Sequence, residues 1–254
     1  MSIGAWEWLK SKYSRGQSSV PPDHPCYWQT DIHSHLLPGL DDGVKTHEDS
    51  LMCIQQLVDW GITKIITTPH VSRDVFPNEA ATILKQRDIL QDQIEQANIS
   101  VQIDVAAEYM LDDFFLSILA KGNLLSFGTE RYLLIEMGWA SPPRDLEQII
   151  FQLLIDGYTP ILAHPERYSY YLDNAEILQR LRELGCLFQL NWLSLTGQYG
   201  SRVSNQAQRL LKNNWVDFIG SDLHRPADLQ KLGQLFTMPI YNSIANQPLR
   251  NSQL

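Results

Sequence analysis

The chain has 254 residues, 44% of them apolar and 10% aromatic, enough to bury one large core or two small ones. Its formal net charge of −9 argues against a nucleic-acid surface, which is normally basic. It leaves a phosphorylated substrate open, because bound cations reverse the local field.

Three scattered cysteines, Cys26, Cys53 and Cys186, make no disulfide framework and point to a reducing cytoplasm. No apolar run approaches the roughly 18 residues of a membrane-spanning helix, and no secretion-signal core opens the chain. Residues 3–13 set Ile3, Trp6, Leu9 and Tyr13 at helical spacing. That suits packing on the domain or, alternatively, peripheral contact with a membrane or partner. Residues 16–25, rich in Ser and Pro, read as a linker, so 1–28 form an N-terminal extension.

The first strand runs into Asp31-Ile-His-Ser-His35. Two histidines one residue apart on extended backbone point the same way and offer half a metal site. Pro38-Gly39 and Asp41-Asp42-Gly43 then break the strand and return carboxylates to the same spot. Thr46 to Asp49 is a capping box for a helix that buries Leu51, Ile54, Leu57 and Val58 and stops at Gly61. Ile62 to Thr68 is a strand ending at Pro69-His70, followed by a helix over 79–97. Val101 to Ala107 is a strand ending at Glu108, followed by a helix near 112–120. Tyr132 to Glu136 is the next strand, and Pro143 opens a helix closed by Gly157. Thr159 to Ala163 ends at His164, and a helix near 173–184 stops at Gly185. Cys186 to Leu190 ends at Asn191, with a helix over 203–213. Val216 to Gly220 ends at Ser221-Asp-Leu-His224, and a last helix follows Pro226. The Asn-, Gln- and Ser-rich residues 239–254 read as an extended wrap or a partly disordered tail.

Seven strand-then-helix units imply a parallel sheet that is closed, or nearly so, into a barrel over 29–238. A doubly wound open sheet would carry a Gly-rich phosphate loop after its first strand, and none is present. Six of the seven strand ends carry His, Asp or Glu: His33 and His35, His70, Glu108, Glu136, His164, and Asp222 with His224. Barrel strands gather their site at the C-terminal ends, so these side chains should meet at one mouth. With Asp42 they are nine donors, more than one ion needs, and mixed imidazole and carboxylate ligands suit zinc, manganese or iron. A multinuclear hydrolytic centre is expected. Arg167 and Arg225 each lie within three residues of a candidate ligand, and guanidinium forks match phosphate oxygens.

These residues resemble the PHP (polymerase and histidinol phosphatase) superfamily and, within it, the bacterial CpsB/CapC-type protein-tyrosine phosphatases of capsular and exopolysaccharide systems. The matching pieces are Asp31 to His35, Asp41 to Gly43, Thr67 to His70, Ala107-Glu108, Leu134 to Glu136, Ala163 to Tyr168 and Gly220 to His224. The resemblance implies a distorted (β/α)7 TIM-like barrel and two or three divalent ions, manganese first, with iron or zinc as alternatives. It implies one ion on His33, His35, Glu108 and Asp222, and a second sharing Glu108 with Glu136 and His164. The third would sit on Asp42, or Asp41, with His70 and His224. Arg167 and Arg225 would grip phosphate, and His70 or His224 would donate a proton to the leaving group. Attack would come from metal-bound hydroxide. The expected partner is a phosphotyrosine protein, a bacterial tyrosine kinase of polysaccharide synthesis, with a homo-oligomer possible and no nucleic acid.

A cysteine-based tyrosine phosphatase needs an arginine six positions after its nucleophile, where this chain has Ile32, Asp59 and Trp192. A histidinol-phosphate or other small-phosphomonoester phosphatase is the nearest enzymatic alternative, and the His-Pro-Glu-Arg-Tyr168 run favours the tyrosine-phosphatase branch. A deaminase-like amidohydrolase would use a lysine or further histidines and have little need for Arg167. A non-catalytic phosphotyrosine-binding regulator would be expected to lack a ligand, and none of the nine is missing.

Overall fold

The computed structural model describes residue 26 and residues 28–122, 124–172 and 174–254. The amphipathic stretch 3–13 lies outside them. Among the described residues the strands are β1 (Thr30–Asp31), β2 (Lys64–Thr67), β3 (His70–Val71), β4 (Gln102–Val105), β5 (Glu108–Met110), β6 (Tyr132–Glu136), β7 (Thr159–Ala163), β8 (Leu187–Asn191) and β9 (Phe218–Gly220). The main helices between them are α1 (His47–Asp59), α2 (Ala80–Gln96), α3 (Phe115–Lys121), α4 (Leu146–Ile155), α5 (Ala175–Glu183), α6 (Trp192–Leu195), α7 (Ser201–Lys212), α8 (Pro226–Gln234) and α9 (Tyr241–Ile244).

Every ladder between these strands is parallel, in the orders β1-β2-β4 and β3-β5-β6-β7-β8-β9. The two expected strands at 62–68 and 101–107 hold β2 and β4, and each is continued beyond its expected end by a second short strand, β3 and β5. Pro69 has no N–H for the ladder and interrupts the first between β2 and β3. The neighbouring strand breaks at Ala106-Ala107, yet the contact is kept: the Ala106 N–H donates to Thr67 O at 3.0 Å and the Glu108 N–H to Pro69 O at 3.1 Å. The sheet curls until its ends meet, where Ser34 pairs in parallel with Leu223 and the Asp222 N–H donates to His33 O at 2.7 Å.

The helices form for local reasons. Thr46 caps α1, its hydroxyl accepting from the Asp49 N–H at 3.2 Å, and Gly61 leaves the helix with φ +97°. Leu51, Ile54 and Leu57 face the large buried cluster between helices and sheet. A second cluster takes Ile32, Ile66, Ala106, Leu134, Ile161, Ala163 and Phe218 from the strands or their extensions. Leu134 shares a face of β6 with Glu136, so this cluster fills the concave side beneath the charged strand ends.

Residues 239–254 pack onto the domain, as in the first of their two readings, but with helical turns in place of an extended course. They form α9 and a 3-10 turn, Asn251–Gln253. Tyr241 and Ile244 are buried, and Asn251 is fully buried between β1 and β9. Its Nδ2 donates to Thr30 O and Ile219 O, both at 2.8 Å, while its Oδ1 accepts from the Ile219 N–H at 3.0 Å. One amide thus supplies the hydrogen bonds that the parted strands do not make to each other.

Candidate metal centre

The strand ends bring all nine expected donors together, in four overlapping groups. These are His35, Asp42, His70 and His224; His33, His35 and Glu108; His33, His164 and Asp222; and His70, Glu108 and Glu136. In each group one ligand atom per residue lies within 4.8 Å of the others. His70 therefore sits beside Glu136 as well as beside Asp42, and His164 beside Asp222 as well as beside Glu108. This is a more interleaved arrangement than three separate ligand sets.

Glu108 is the hub. Its Oε2 lies 3.1 Å from both His33 Nε2 and His70 Nδ1 and 3.5 Å from His35 Nε2, and its Oε1 lies 3.1 Å from His164 Nε2. Asp222 Oδ1 lies 3.3 Å from both His33 Nε2 and His35 Nε2 and 3.5 Å from His224 Nδ1. Burial alone would raise both carboxyls; the surrounding imidazoles hold them well below their ordinary values. In return, Glu108 and Asp222 outweigh the burial of His33 and push its imidazole up to about 9. His35 is likewise raised, chiefly by Asp41 against its own burial. Burial and the Glu108 charge raise Glu136. The carboxylates demand positive charge in their midst, which is the environment of a cation site.

Ring orientation is set from behind. The His33 Nδ1–H donates to Gln189 Oε1 at 2.8 Å, and Gln189 is itself fixed, since its Nε2 donates to Leu190 O at 2.8 Å. The His35 Nδ1–H donates to Asp41 Oδ2 at 2.7 Å, and the His224 Nδ1–H to Asp222 O at 2.9 Å. All three rings therefore present Nε2 to the interior. Asp41 also accepts from the His70 N–H at 3.0 Å and the Gly43 N–H at 2.9 Å, so its oxygens are occupied as orienters. Asp42 is free to face His70 and His224, at 3.6 and 3.5 Å.

Two glycines permit this packing. A Cβ on Gly43 would lie 2.5 Å from His35 Cβ, and one on Gly220 would lie 2.6 Å from His33 Cβ and 2.8 Å from Gln189 Nε2. His164 and Asp222 adopt left-handed backbone, φ +36° and +51°, which L residues avoid unless the surroundings over-determine it.

The donor set fits divalent cations. It is all imidazole and carboxylate, it is buried except at the mouth, where Asp42 is exposed and His70 and His224 are half-buried, and two of its nitrogens lack well-aligned hydrogen bonds, His164 Nδ1 and His70 Nδ1. His70 Nδ1 is nonetheless only 2.7 Å from Glu136 Oε1, a crowding that a shared cation would resolve.

Arg167 joins the cluster as expected: its Nη1 lies 2.7 Å from Asp222 Oδ2, and its guanidinium stacks 4.8 Å from the Trp139 ring and 4.3 Å from the Tyr199 ring. Arg225, the second expected phosphate-gripping arginine, lies at the start of α8. It pairs with Asp228 three residues on, at 3.1 Å, with its side chain 70% exposed, because the start of α8 puts that carboxylate within its reach. The cysteines offer no alternative chemistry. All three are buried, and burial raises each thiol, Cys186 to about 12.

The sequence reading missed Gln189, Asn191, Trp139 and Tyr199. Gln189 and Asn191 share one face of β8 with the period of two, a polar pair whose common face was the available signal. Asn191 Nδ2 donates to Asp222 Oδ2 at 2.6 Å, and its N–H donates to the buried Glu166 at 3.0 Å.

Fold and site together define an α/β protein with a candidate polynuclear metal centre at the C-terminal ends of its parallel strands. The family described as "Capsular polysaccharide synthesis, CpsB/CapC" matches residues 29–231, and the chain belongs to it. It is 34% identical over 194 residues to the tyrosine-protein phosphatase YwqE of Bacillus subtilis (strain 168), covering 76% of each chain. It is 27% identical over 226 residues to the tyrosine-protein phosphatase CpsB of Streptococcus agalactiae, covering 85% of this chain and 93% of that one. It also superposes, with a TM-score of 0.74 and 30% identity, on a solved structure from work on YwqE of Bacillus subtilis and CpsB of Streptococcus pneumoniae, described as unique metal-dependent tyrosine phosphatases. That match covers 87% of this chain and 96% of the other.

Proposed function

We propose that the chain is a metal-dependent protein-tyrosine phosphatase. The observation that carries this reading is the convergence of nine imidazole and carboxylate donors beside one stacked arginine, in a chain whose relatives are named tyrosine phosphatases. The metal ligands are His33, His35, Asp42, His70, Glu108, Glu136, His164, Asp222 and His224, with Asp41 as the orienter of His35. Manganese is the first choice of ion, with iron or zinc accepted by the same donors. Reading β2 with β3, and β4 with β5, as interrupted single strands gives seven, hence a distorted (β/α)7 barrel closed at Ser34 and Leu223.

When bound, the ions supply charge for the phosphoryl oxygens and lower the pKa of water to near neutrality. The protein's own residues do the rest. Arg167, held by Asp222 and two aromatic rings, is pre-oriented to grip the phosphoryl group. His70 and His224 are the imidazoles left partly open, with side chains 15% and 23% exposed, and whichever of them is not holding an ion can hand a proton to the departing phenolate. A phenol leaves with a pKa of about 10, so that help need only be modest.

The physiological target is a phosphotyrosine protein in the cytoplasm, a bacterial tyrosine kinase of capsule or exopolysaccharide synthesis. A homo-oligomer accompanies this reading, and light scattering on the purified protein checks it. No helix among the described residues is long and apolar enough to cross a membrane. The deciding assay measures phosphate release from phosphotyrosine and phosphoserine peptides and from histidinol phosphate, with chelator and with Mn²⁺ restored. Activity on phosphotyrosine that chelator abolishes and Mn²⁺ restores is expected; preference for histidinol phosphate would overturn the reading.

A further inference from the structure

The loop after β6 holds an aromatic ring out into solvent at the edge of the metal cluster. Trp139 is 50% exposed, while Met137, two residues before it, and Tyr168, which packs beside it, are buried. The loop is not slack. The Met137 N–H donates to Tyr168 Oη at 3.0 Å, and Tyr170 Oη donates to Gly138 O at 3.0 Å. The indole lies nearly parallel to the His164 ring, 18° between planes and 5.7 Å between centroids, and it carries the Arg167 guanidinium at 4.8 Å. Tyr199 covers the same guanidinium at 4.3 Å.

A half-exposed indole on an anchored loop keeps apolar surface in water. Its position gives that surface a use. A phosphate ester gripped by Arg167 sends its organic group out past the neighbouring walls of the mouth. An aryl group there meets the exposed part of Trp139 and gains an aromatic contact; the alkyl stem of a phosphoserine does not.

We infer that Trp139 is a specificity-determining residue that favours aryl over alkyl phosphate esters. The inference rests on the phosphotyrosine reading above and adds the residue that makes the distinction. Aromatic pairing is worth up to about tenfold in affinity, which sets the size of the effect.

The test uses the full-length protein loaded with Mn²⁺, as wild type, W139A, W139L and W139F. Each is assayed on matched phosphotyrosine and phosphoserine peptides and titrated by calorimetry with benzylphosphonate and methylphosphonate. In W139A and W139L the phosphotyrosine-to-phosphoserine ratio of kcat/KM falls about three- to tenfold. The loss falls mainly on KM, benzylphosphonate loses its advantage over methylphosphonate, and W139F keeps most of both. If the ratio is unchanged, or both peptides and both phosphonates weaken equally, Trp139 acts only by supporting Arg167 and the inference fails. A wild type inactive on both peptides would overturn the phosphatase reading itself, an outcome visible before any variant is made.

Discussion

The two ends of the curled sheet close by opposite means. At the end where the strands begin, Phe127 and Tyr132 each pack edge to face with Phe218 and lie tilted against each other, with centroids 5.1–6.4 Å apart. There Asn251 satisfies Thr30 and Ile219, and Lys64 Nζ donates to Leu254 O at 3.1 Å. The buried amide at that end has matched partners for its donors and its acceptor. At the end where the strands finish, one carboxylate, Glu108, faces four imidazoles, and His33 Nε2 and His35 Nε2 stand only 3.3 Å apart. Groups so placed do not satisfy one another well. The first end is a finished structural joint, and the second gathers lone pairs that divalent cations would satisfy.

Substitutions at the charged end should therefore cost chemistry far more than folding. Glu108→Gln keeps the shape and removes the hub charge. It should abolish Mn²⁺-dependent turnover, beyond the roughly 100-fold typical of residues that only orient a ligand, and lower bound metal measured by elemental analysis. Retained activity and metal would mean that Glu108 is not the shared ligand. Arg167→Ala should lower kcat/KM on a phosphotyrosine peptide by roughly 100- to 1000-fold while bound metal stays constant. Unchanged turnover would remove Arg167 from the site. Gln189→Leu frees the His33 ring to adopt the wrong tautomer and should weaken Mn²⁺ affinity by roughly 10- to 100-fold in a chelator competition. Gln189→Glu, which restores an acceptor, should recover most of it; equal loss in both variants would point to packing at Gly220 instead.

The charged end was legible because each donor closes an apolar run. Strand, then His or Glu, then a break is a pattern that needs no distant information, and Pro69-His70, Glu108 and His164 were all found that way. What the run of residues could not carry was the direction of a side chain within a crowded turn. Asp41 and Asp42 are adjacent and chemically alike, and only the folded turn sends one to His35 and the other to His70 and His224. Arg225 sits as near to a candidate ligand in sequence as Arg167 does, yet the helix it precedes supplies Asp228 as its ion-pair partner, while Arg167 pairs with Asp222. Pro69 was legible as a strand end but not as a splice across which the sheet continues, because the neighbouring chain keeps the hydrogen bonds.

At the inert end the sequence leaves two readings open, a wrap or a partly disordered tail. Composition alone does not choose between them, because it cannot see that a single amide matches a gap between two strands. Asn251→Ala would leave Ile219 N–H, Ile219 O and Thr30 O without the partner they now share. Three buried hydrogen bonds at about 1 kcal/mol each suggest a loss of about 3 kcal/mol, or roughly 6–12 °C in melting temperature for a chain of this size. Asn251→Asp keeps the acceptor but loses both donated bonds and buries a charge, so it should be no better. Neither change reaches the donors at the other end, so kcat/KM per folded, Mn²⁺-loaded molecule at 25 °C should stay within about twofold, as expected for a site that shares no partners with the cluster. A fall in kcat/KM in step with the fall in melting temperature would mean that the two ends are coupled through β1 and β9, whose far ends meet at Ser34 and Leu223 beside the metal ligands.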